Sequence, residues 1–352
     1  MSKSKSENPI ILSQDIGYGF TKLNKLNPVG ELEYMSFISL APLHSPNELD
    51  LSFMGGRDTK IVDVDGTAYE IGPENLYLDI STLTRSLNSQ FIYTEQYKAL
   101  FYGALAYQNQ SEIDCLVVGL PVNEMTNAHK LKGLLEGTHK VSKELTVIVK
   151  QVMCVPQPLG GLFYLNSHKS DLRKIVEDGS KEVETLPDIE QEVNLVIDPG
   201  YLTFDFMVAN GLKPMNGKMD AHPGGVSKVL RAIADAISQE QGIHYDNLSA
   251  IDLALKNRKL KVNGMDVNLN TYIAKTKTVL EGSLNFMKNM IGDGSDIDNI
   301  FILGGGSNIF KKTIEAFYPK HKEAGRIFIV DDPQMAIVKG YQEIGQKYYK
   351  PQ

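Results

Sequence analysis

Cysteine, basic charge and long apolar runs are all scarce in this 352-residue sequence. Its only two cysteines, Cys115 and Cys154, each lie in an apolar run, so we expect two buried thiols and no disulfide framework. Lysine and arginine together number 36 against 43 aspartates and glutamates, and the formal net charge of −7 argues against a broad nucleic-acid-binding surface. No apolar run reaches the roughly 18–20 residues of a membrane helix, and the amino terminus lacks the apolar core of a signal peptide. We therefore expect a cytoplasmic protein that binds neither DNA nor membrane directly.

Several familiar site motifs are also missing. The seven histidines do not fall at the spacings of a zinc site. There is no Gly-x-x-x-x-Gly-Lys-Ser/Thr phosphate loop and no Gly-x-Ser-x-Gly nucleophile elbow. The sequence therefore disfavours a zinc protein, a P-loop nucleotidase and a hydrolase built on a nucleophile elbow.

What is present is an alternation of strand-like and helix-like segments in a chain long enough for two domains. Apolar residues make up 42% of the sequence and charged residues 22%, which is typical of a globular protein with large cores. The alternation predicts an α/β fold, and the apolar run Cys115–Leu120 predicts a central strand covered on both faces. Ser167–Glu192 has eight acidic residues against four basic ones, and we interpret it as an exposed linker or insertion.

Local signals give the bounds of several elements. Asp65-Gly66 and Asn263-Gly264 predict tight hairpin turns, because such pairs favour the left-handed backbone of a type I′ turn. We expect helices over residues 94–108, 225–241, 248–257 and 271–291, and another from about residue 308. A final helix would have Asp332 as its N-cap and Pro333 as its first residue.

One short pattern occurs twice. Asp15-Ile16-Gly17-Tyr18 and Asp198-Pro199-Gly200-Tyr201 both place Asp-x-Gly-Tyr directly after a hydrophobic strand, and the two aspartates are 183 residues apart. A single copy would be weak evidence, since an aspartate can simply cap a turn. Two copies, one near the start of each half, predict a duplicated α/β unit whose two turns face one cleft.

The chemistry of these turns suits a nucleoside triphosphate with a metal ion. A glycine turn lets the backbone come close to a ligand and point N–H groups at phosphate oxygens. Asp15 and Asp198 would repel a bare polyphosphate, but a Mg²⁺ ion between them, held with several of its waters, removes that conflict. Lys22, seven residues after Asp15, can reach a phosphate from the returning strand.

These segments resemble the actin-like ATPase superfamily, which includes actin, sugar kinases and the 70-kDa heat-shock chaperones. Residues 15–22 resemble its first phosphate hairpin and residues 198–205 its second, although Pro199 and Tyr201 depart from the more common small residues. Leu303–Ser307 resembles its adenosine motif. The resemblance implies two duplicated actin-like, RNase H-like α/β domains that flank a nucleotide cleft. Residues 1–165 with 326–352 would form the first domain and residues 166–325 the second.

Further segments extend the resemblance along the chain. Val155–Gly161 resembles the first connecting segment, and Met335–Tyr341 resembles the second connecting helix, where Ala336 and Gly340 would let helices cross closely. Within the superfamily, the chain length, residues 118–122 and the run His222-Pro223-Gly224-Gly225 are most similar to ParM-type plasmid-segregation actins.

The resemblance also implies roles for individual residues. Gln157 would orient the hydrolytic water, Asp15 and Asp198 would organise Mg²⁺ largely through water, and Asp205 would hold water or metal. The expected nucleotide-binding residues are Gly17, Tyr18, Gly19, Lys22, Gly200, Tyr201, Leu202, Gly224, Gly225, Gly304, Gly305, Gly306 and Ser307. Gly224 and Gly225 would present N–H groups at the start of a helix. The implied ligands are ATP or GTP with Mg²⁺.

The implied function is a slow ATPase that polymerises head to tail. Its filaments would move plasmid DNA through a DNA-binding adaptor on the plasmid centromere, so the acidic chain need not touch DNA itself. Gln157 stands where a kinase would use an aspartate as general base, and this favours water over a second substrate. Two alternatives stay open: a small-molecule kinase of the same fold, and a monomeric ATP-driven assembly or activator protein.

Overall fold

The computed structural model describes residues 8–45, 57–75, 90–176, 179–183, 185–257 and 259–351. The chain divides into two compact units, residues 1–168 with 335–352 and residues 169–334. In the described part of the chain, no helix is both long and apolar enough to cross a bilayer.

The first unit is built on a five-stranded mixed sheet with the strand order β10-β7-β1-β2-β3. Its strands are β1 Ile11–Ile16, β2 Phe20–Leu26, β3 Leu32–Ile38, β4 Lys60–Val64, β5 Thr67–Ile71, β6 Glu112–Ile113, β7 Cys115–Leu120, β8 Gly137–Lys140, β9 Thr146–Val149 and β10 Val152–Pro156. Its first three helices are α1 Glu95–Gln108, α2 Ala128–Leu135 and α3 Gln157–Ser167. Strands β1, β7 and β10 run parallel, so their carboxyl ends meet at one edge of the sheet.

The second unit contains a seven-stranded sheet with the strand order β12-β11-β19-β18-β13-β14-β15. Its strands are β11 Leu172–Val176, β12 Gly179–Glu182, β13 Val193–Pro199, β14 Phe204–Asn210, β15 Lys213–His222, β16 Leu260–Val262, β17 Met265–Val267, β18 Asn299–Ile302 and β19 Ile327–Val330. Its helices are α4 Val226–Gln241, α5 Leu248–Asn257, α6 Leu269–Lys275, α7 Lys277–Ile291, α8 Ser307–Phe317 and α9 Pro319–Glu323. The last helix of the chain, α10 Ala336–Tyr348, belongs to the first unit.

The two sheets repeat the same topology. Strands β3-β2-β1-β7-β10 correspond to β15-β14-β13-β18-β19: each set begins with two antiparallel pairings and ends with two parallel ones. The turn that carries the Asp-x-Gly-Tyr pattern joins the equivalent strands in both sheets, β1 to β2 and β13 to β14. The predicted duplicated α/β fold is therefore confirmed.

Helices α3 and α10 cross closely in the first unit through glycine. A β-carbon on Gly340 of α10 would overlap the backbone carbonyl of Gly160 on α3, and one on Gly160 would lie 2.5 Å from the ring of Tyr341. Tyr341 is fully buried, with Cys115 and Ile337 in the same apolar cluster. The expected close helix crossing at Gly340 is thus present, and larger residues there would push the two helices apart.

The acidic segment is not an exposed linker. Strand β11 pairs antiparallel with β19 inside the edge strand β12 of the second sheet, and Leu172 and Ile189 are buried at 1% and 0% exposure. Apolar residues flank the two adjacent basic residues of this strand, and Leu172 and Ile175 are both buried, which the net charge of the whole segment does not reveal. The strand β19 itself, expected in the first domain from a boundary at residue 326, pairs within the second sheet.

Three other local predictions are wrong. The expected single helix over residues 271–291 is broken at Thr276, whose Oγ1 donates to the Ile273 carbonyl at 2.7 Å and competes with the helical ladder. The final helix begins at Ala336, because the Pro333 carbonyl instead accepts the Gly304 N–H at 2.8 Å. Cys154 is only partly buried, whereas Cys115 is buried as expected.

Candidate functional site

The first cluster centres on Asp15, near the carboxyl end of β1. Its side chain is 1% exposed, and its register partner on β2 is Lys22. Lys22 Nζ lies 2.6 Å from Asp15 Oδ2, which makes a charge-assisted hydrogen bond. A buried carboxylate is costly unless it is paired, and Lys22 supplies that pairing within the hairpin.

Gln157 completes this cluster from the first turn of α3. Because α3 follows β10, and β10 and β1 flank β7 in parallel, Asp15 and Gln157 emerge at the same sheet edge. Gln157 Nε2 donates to Asp15 Oδ1 at 3.0 Å. A carboxylate only accepts hydrogen bonds, so the amide nitrogen of Gln157 must face Asp15. The amide oxygen Oε1 therefore points away from this contact. The structure thus brings Asp15, Lys22 and Gln157 together.

Ser39, which the sequence did not single out, hydrogen-bonds to the backbone of the first glycine turn. Ser39 Oγ donates to the Gly17 carbonyl at 2.6 Å, and the Ser39 N–H donates to the Gly19 carbonyl at 3.0 Å. The turn closes on itself through a Gly17 N–H bond to the Phe20 carbonyl at 3.2 Å. No local motif marks Ser39, because its role depends on β3 lying beside β2.

In the second unit, Asp198 and Asp205 occupy the positions equivalent to Asp15 and Lys22. They are register partners on β13 and β14, and they are 4% and 1% exposed. Facing positions of an antiparallel pair lie on the same side of the sheet. The first hairpin therefore carries a balanced ion pair, whereas the second carries two carboxyl groups.

The pair of carboxyl groups in the second hairpin shows whether the residues there suit a Mg²⁺ ion. Two neighbouring buried carboxylates favour a nearby cation, and Mg²⁺ takes oxygen ligands while keeping several waters. Among the described residues, no group of three or more His, Cys, Asp or Glu could hold a metal directly. Asp198 and Asp205 therefore fit an ion held mainly through its waters, whereas the carboxylate of Asp15 is paired with Lys22 and Gln157.

The glycine turn after β18 lies against Asp198. Gly304 has a φ of +77°, and a β-carbon there would overlap Asp198 Oδ1. The Gly306 N–H donates to the Pro199 carbonyl at 2.9 Å, and a β-carbon on Gly306 would lie 2.6 Å from that oxygen. By contrast, a β-carbon on Gly305 would meet no atom within 4 Å. Contact with the second hairpin explains two of these glycines, and the third has open space beside it.

Ser307 plays a structural part in this turn. Its side chain is buried, and its hydroxyl shares one proton between the Leu303 and Gly304 carbonyls, whose oxygens lie 2.7 and 2.6 Å from Oγ. The hydroxyl proton is therefore used within the turn.

The expectation that Gly224 and Gly225 present N–H groups to a ligand is wrong. The Gly224 N–H donates to the His222 carbonyl at 2.7 Å, and the Gly225 N–H donates to the Leu202 carbonyl at 3.0 Å. The next two amides, at the start of α4, donate to the carbonyls of Gly200 and Tyr201 at 3.0 and 2.7 Å, respectively. The amides of residues 225–227 thus hold the second glycine turn in place.

The loop before α4 is itself fixed by α7. Ser283 Oγ, fully buried, donates to the Gly224 carbonyl at 3.0 Å and lies 3.3 Å from His222 Nδ1. Since the serine has one proton and gives it to the carbonyl, His222 Nδ1 must be the donor in the second contact. Burial lowers the pKa of His222, which favours its neutral form.

Family models match both halves of the chain. The model for the N-terminal domain of actin-like proteins matches residues 13–160, which include Asp15 and Gln157. The model for the C-terminal domain of archaeal MreB-like actin homologues matches residues 196–316, which include Asp198 and the Gly304 turn. No curated protein gives a significant match by sequence.

Solved structures match over nearly the whole length. The archaeal actin homologue Ta0583 is 17% identical, with a TM-score of 0.71 over 96% of this chain and all of that one. A ParM from the structure of a 15-stranded filament of Clostridium botulinum is 19% identical, with a TM-score of 0.73 over 97% of this chain and all of that one. Ta0583 in complex with ADP is 18% identical, with a TM-score of 0.68 over 96% of this chain and all of that one. The two family models show that the chain belongs to the actin-like superfamily, and the likeness to the ParM and archaeal actin homologue structures shows that it shares their fold.

Proposed function

We propose that this protein is an ATPase that forms filaments in a nucleotide-dependent manner. ATP or GTP with Mg²⁺ is the ligand, and both glycine turns serve its phosphates. The observation that carries the proposal is the contact of Gln157 with Asp15 beside Lys22 in the first unit, matched by Asp198 and Asp205 at equivalent positions in the second.

Each residue has a limited part in hydrolysis. Lys22 offers positive charge next to the first glycine turn, and Asp198 with Asp205 would hold Mg²⁺ through its waters. The bound Mg²⁺ would neutralise phosphate charge. Gln157 positions the attacking water through Oε1, because its Nε2 is already committed to Asp15. Glutamine is a poor base, so catalysis depends on positioning and turnover is slow.

The same geometry disfavours a kinase. Transfer to an acceptor hydroxyl usually needs a carboxylate as general base, and the residue after β10 is Gln157. Phosphate release from ATP with no added acceptor measures the difference. Release at a steady slow rate supports a hydrolase, whereas release only after an acceptor is added would contradict it.

Polymerisation is the step that links this ATPase to a cytoskeletal role. A head-to-tail contact uses two different surfaces and does not close, so copies of one chain extend into a filament. Nucleotide state would control assembly because ATP and ADP stabilise different conformations to different degrees. Sedimentation with Mg-ATP and with Mg-ADP tests this. Pelleting with ATP and much less with ADP supports the filament, and failure to pellet across a range of salt and protein concentrations contradicts it.

Plasmid movement through an adaptor is the most specific part of the proposal. The formal net charge of −7 argues that the chain does not grip DNA itself, so cargo would be attached by a separate DNA-binding protein. Electrophoretic mobility shift at moderate salt checks this division of labour. Filaments that leave plasmid DNA unshifted agree with an adaptor, and tight direct binding would remove the need for one.

A further inference from the structure

Tyr18 is the one residue between the two glycines of the first turn, and its side chain folds back into the first unit. It is 8% exposed, and its ring stacks on Phe91 with centroids 5.0 Å apart and an interplanar angle of 26°. Its hydroxyl donates to Glu124 Oε1 at 3.2 Å. Glu124 lies 106 residues away, in the short helical turn Val122–Asn127 that follows β7.

The position of Glu124 relates it to the candidate site. Strand β7 lies between β1 and β10, which carry Asp15 and lead into Gln157. The segment that leaves β7 therefore starts at the same sheet edge as these two residues, and it reaches the glycine turn just beyond Asp15.

We propose that Tyr18 and Glu124 form a clamp that holds the first glycine turn in its phosphate-binding shape. Glu124 is then a positioning residue for nucleotide hydrolysis, a role that rests on the proposed function. It acts through Tyr18 and does not touch the nucleotide.

The turn needs such a clamp because of its glycines. Gly17 and Gly19 flank Tyr18, and glycine gives the backbone more conformational freedom than any other residue. Ser39 fixes the carbonyls of these two glycines, but the residue between them is fixed through its own side chain. The anchored Tyr18 side chain fixes the position of the turn's backbone before a ligand binds. The ligand then does not have to order the turn, which would cost binding free energy.

The aromatic contacts continue from the glycine turn into α1. Phe91 packs edge-on against Tyr97 at 5.3 Å, and Tyr97 is a buried residue of α1. Burial first, then the thiol of Cys154 and the charge of Asp15, raise the pKa of Tyr97. Tyr18, Phe91 and Tyr97 thus form a packed aromatic series that connects the glycine turn to α1.

The hydrogen bond also suits the environment of Glu124. This carboxyl group is partly buried, and burial raises its pKa while the bond from Tyr18 lowers it. Tyr18 thereby compensates for part of the solvation that Glu124 loses in the fold.

A double-mutant cycle tests the clamp. Tyr18→Phe keeps the ring stack and removes the donor, Glu124→Ala removes the acceptor, and Glu124→Gln keeps a neutral acceptor oxygen. We expect Tyr18→Phe and Glu124→Ala each to lower kcat/KM for ATP hydrolysis about tenfold, which a lost hydrogen bond of ordinary strength allows. The double variant should be no worse than either single one, because both remove the same bond. Glu124→Gln should retain most of the wild-type rate.

The controls separate a positioning role from a merely structural one. Tyr93→Phe, at a tyrosine that is 46% exposed two residues after Phe91, should leave the rate unchanged. The melting temperatures of the variants show whether they fold. If Glu124→Ala does not fold, Glu124→Asp replaces it in the cycle, since it keeps the charge and withdraws the carboxylate by one methylene.

Two results would contradict the clamp: losses in the single variants that simply add in the double variant, or single variants as active as wild type. Wild-type protein that binds no nucleotide would instead overturn the proposed function, and the clamp's role with it. Nucleotide binding by the wild type is therefore measured first.

Discussion

Gln157 Nε2 lies 3.0 Å from Asp15 Oδ1, although 142 positions separate the two residues along the chain. The contact decides which end of the amide is available for chemistry. Because Asp15 can only accept, Nε2 is held by the carboxylate and Oε1 remains the amide's acceptor. Gln157 can thus accept a hydrogen bond from a water molecule, which is the function expected of a residue that positions a nucleophile.

Replacing Gln157 should separate hydrolysis from binding. Gln157→Ala removes the acceptor for water, and we expect phosphate release to slow by about 10²-fold, the lower range for loss of a positioning group. Nucleotide affinity should change less than about threefold, because the contact is made to water. Phosphate release and binding of a fluorescent ATP analogue measure the two effects, with the exposed Gln191→Ala as a control. Unchanged release in Gln157→Ala would remove this residue from its assigned role.

Asp198 should be needed for metal-dependent binding and not for folding. Asp198→Asn keeps the shape of the side chain beside Gly304 and removes one of two neighbouring buried carboxylates. We expect a melting temperature equal to or above that of wild type without ligand, since one of two buried carboxyl groups at facing strand positions becomes neutral. Wild type should gain about 2.7 kcal/mol of stability at Mg-ATP a hundred times above its Kd, whereas the variant should gain little.

Differential scanning fluorimetry with and without Mg-ATP measures this effect. Asp266→Asn, at an exposed position on β17, is the matched control and should respond to Mg-ATP like wild type. A full ligand-induced shift in Asp198→Asn would show that the metal assignment is wrong.

The parts of the fold that sequence predicted well are those with local causes. The helix expected over residues 94–108 is α1, and Thr94 caps it by accepting the Tyr97 N–H at 3.1 Å, a contact that spans only three residues. Asp65 and Asn263 both have φ near +50°, as the hairpin signals require. The repeated aspartate turns could be related to each other because each lies within one strand-turn-strand segment.

Contacts between distant segments had no such signal. Ser39 and Glu124 support the first glycine turn from 22 and 106 residues away, and neither stands in a motif. The Gly224-Gly225 segment was recognised as a conformationally special loop, but the direction of its N–H groups depends on where the second hairpin lies. Strand β11 could not be predicted from the sequence for a similar reason, since its pairing partner β19 begins more than 150 residues later.

Stability should fall in mild acid because of His139. Burial lowers the pKa of this histidine, more than offsetting the bond from its Nε2 to the Leu135 carbonyl, and Lys98 lowers it further. In the unfolded chain the pKa returns toward 6.5, so the unfolded state takes up the proton first as pH drops. The contribution of His139 to folding stability is therefore complete above about pH 6.5. It is lost as the pH falls toward the lower pKa of His139 in the folded protein.

Urea denaturation at pH 7.5 and 5.5 measures that loss. His139→Gln removes the titrating group, and the variant should lose less stability between the two pH values than wild type does. An equal loss in both proteins would mean that other groups cause the acid sensitivity.

Gly304 should be irreplaceable because of Asp198, and Gly264 provides a matched comparison. Both glycines lie in the second unit, and their backbone φ angles are nearly the same, +77° for Gly304 and +79° for Gly264. A β-carbon on Gly264 would meet no atom within 4 Å, whereas one on Gly304 would overlap Asp198 Oδ1. Gly264→Ala should cost only the left-handed backbone strain of about 1–2 kcal/mol. Gly304→Ala should cost about 1–3 kcal/mol more from overpacking and should also weaken Mg-ATP binding, because Asp198 must move. Thermal unfolding and nucleotide titration of the two variants give the comparison. Equal stability losses with normal binding in both would show that Asp198 and the Gly304 turn are not coupled.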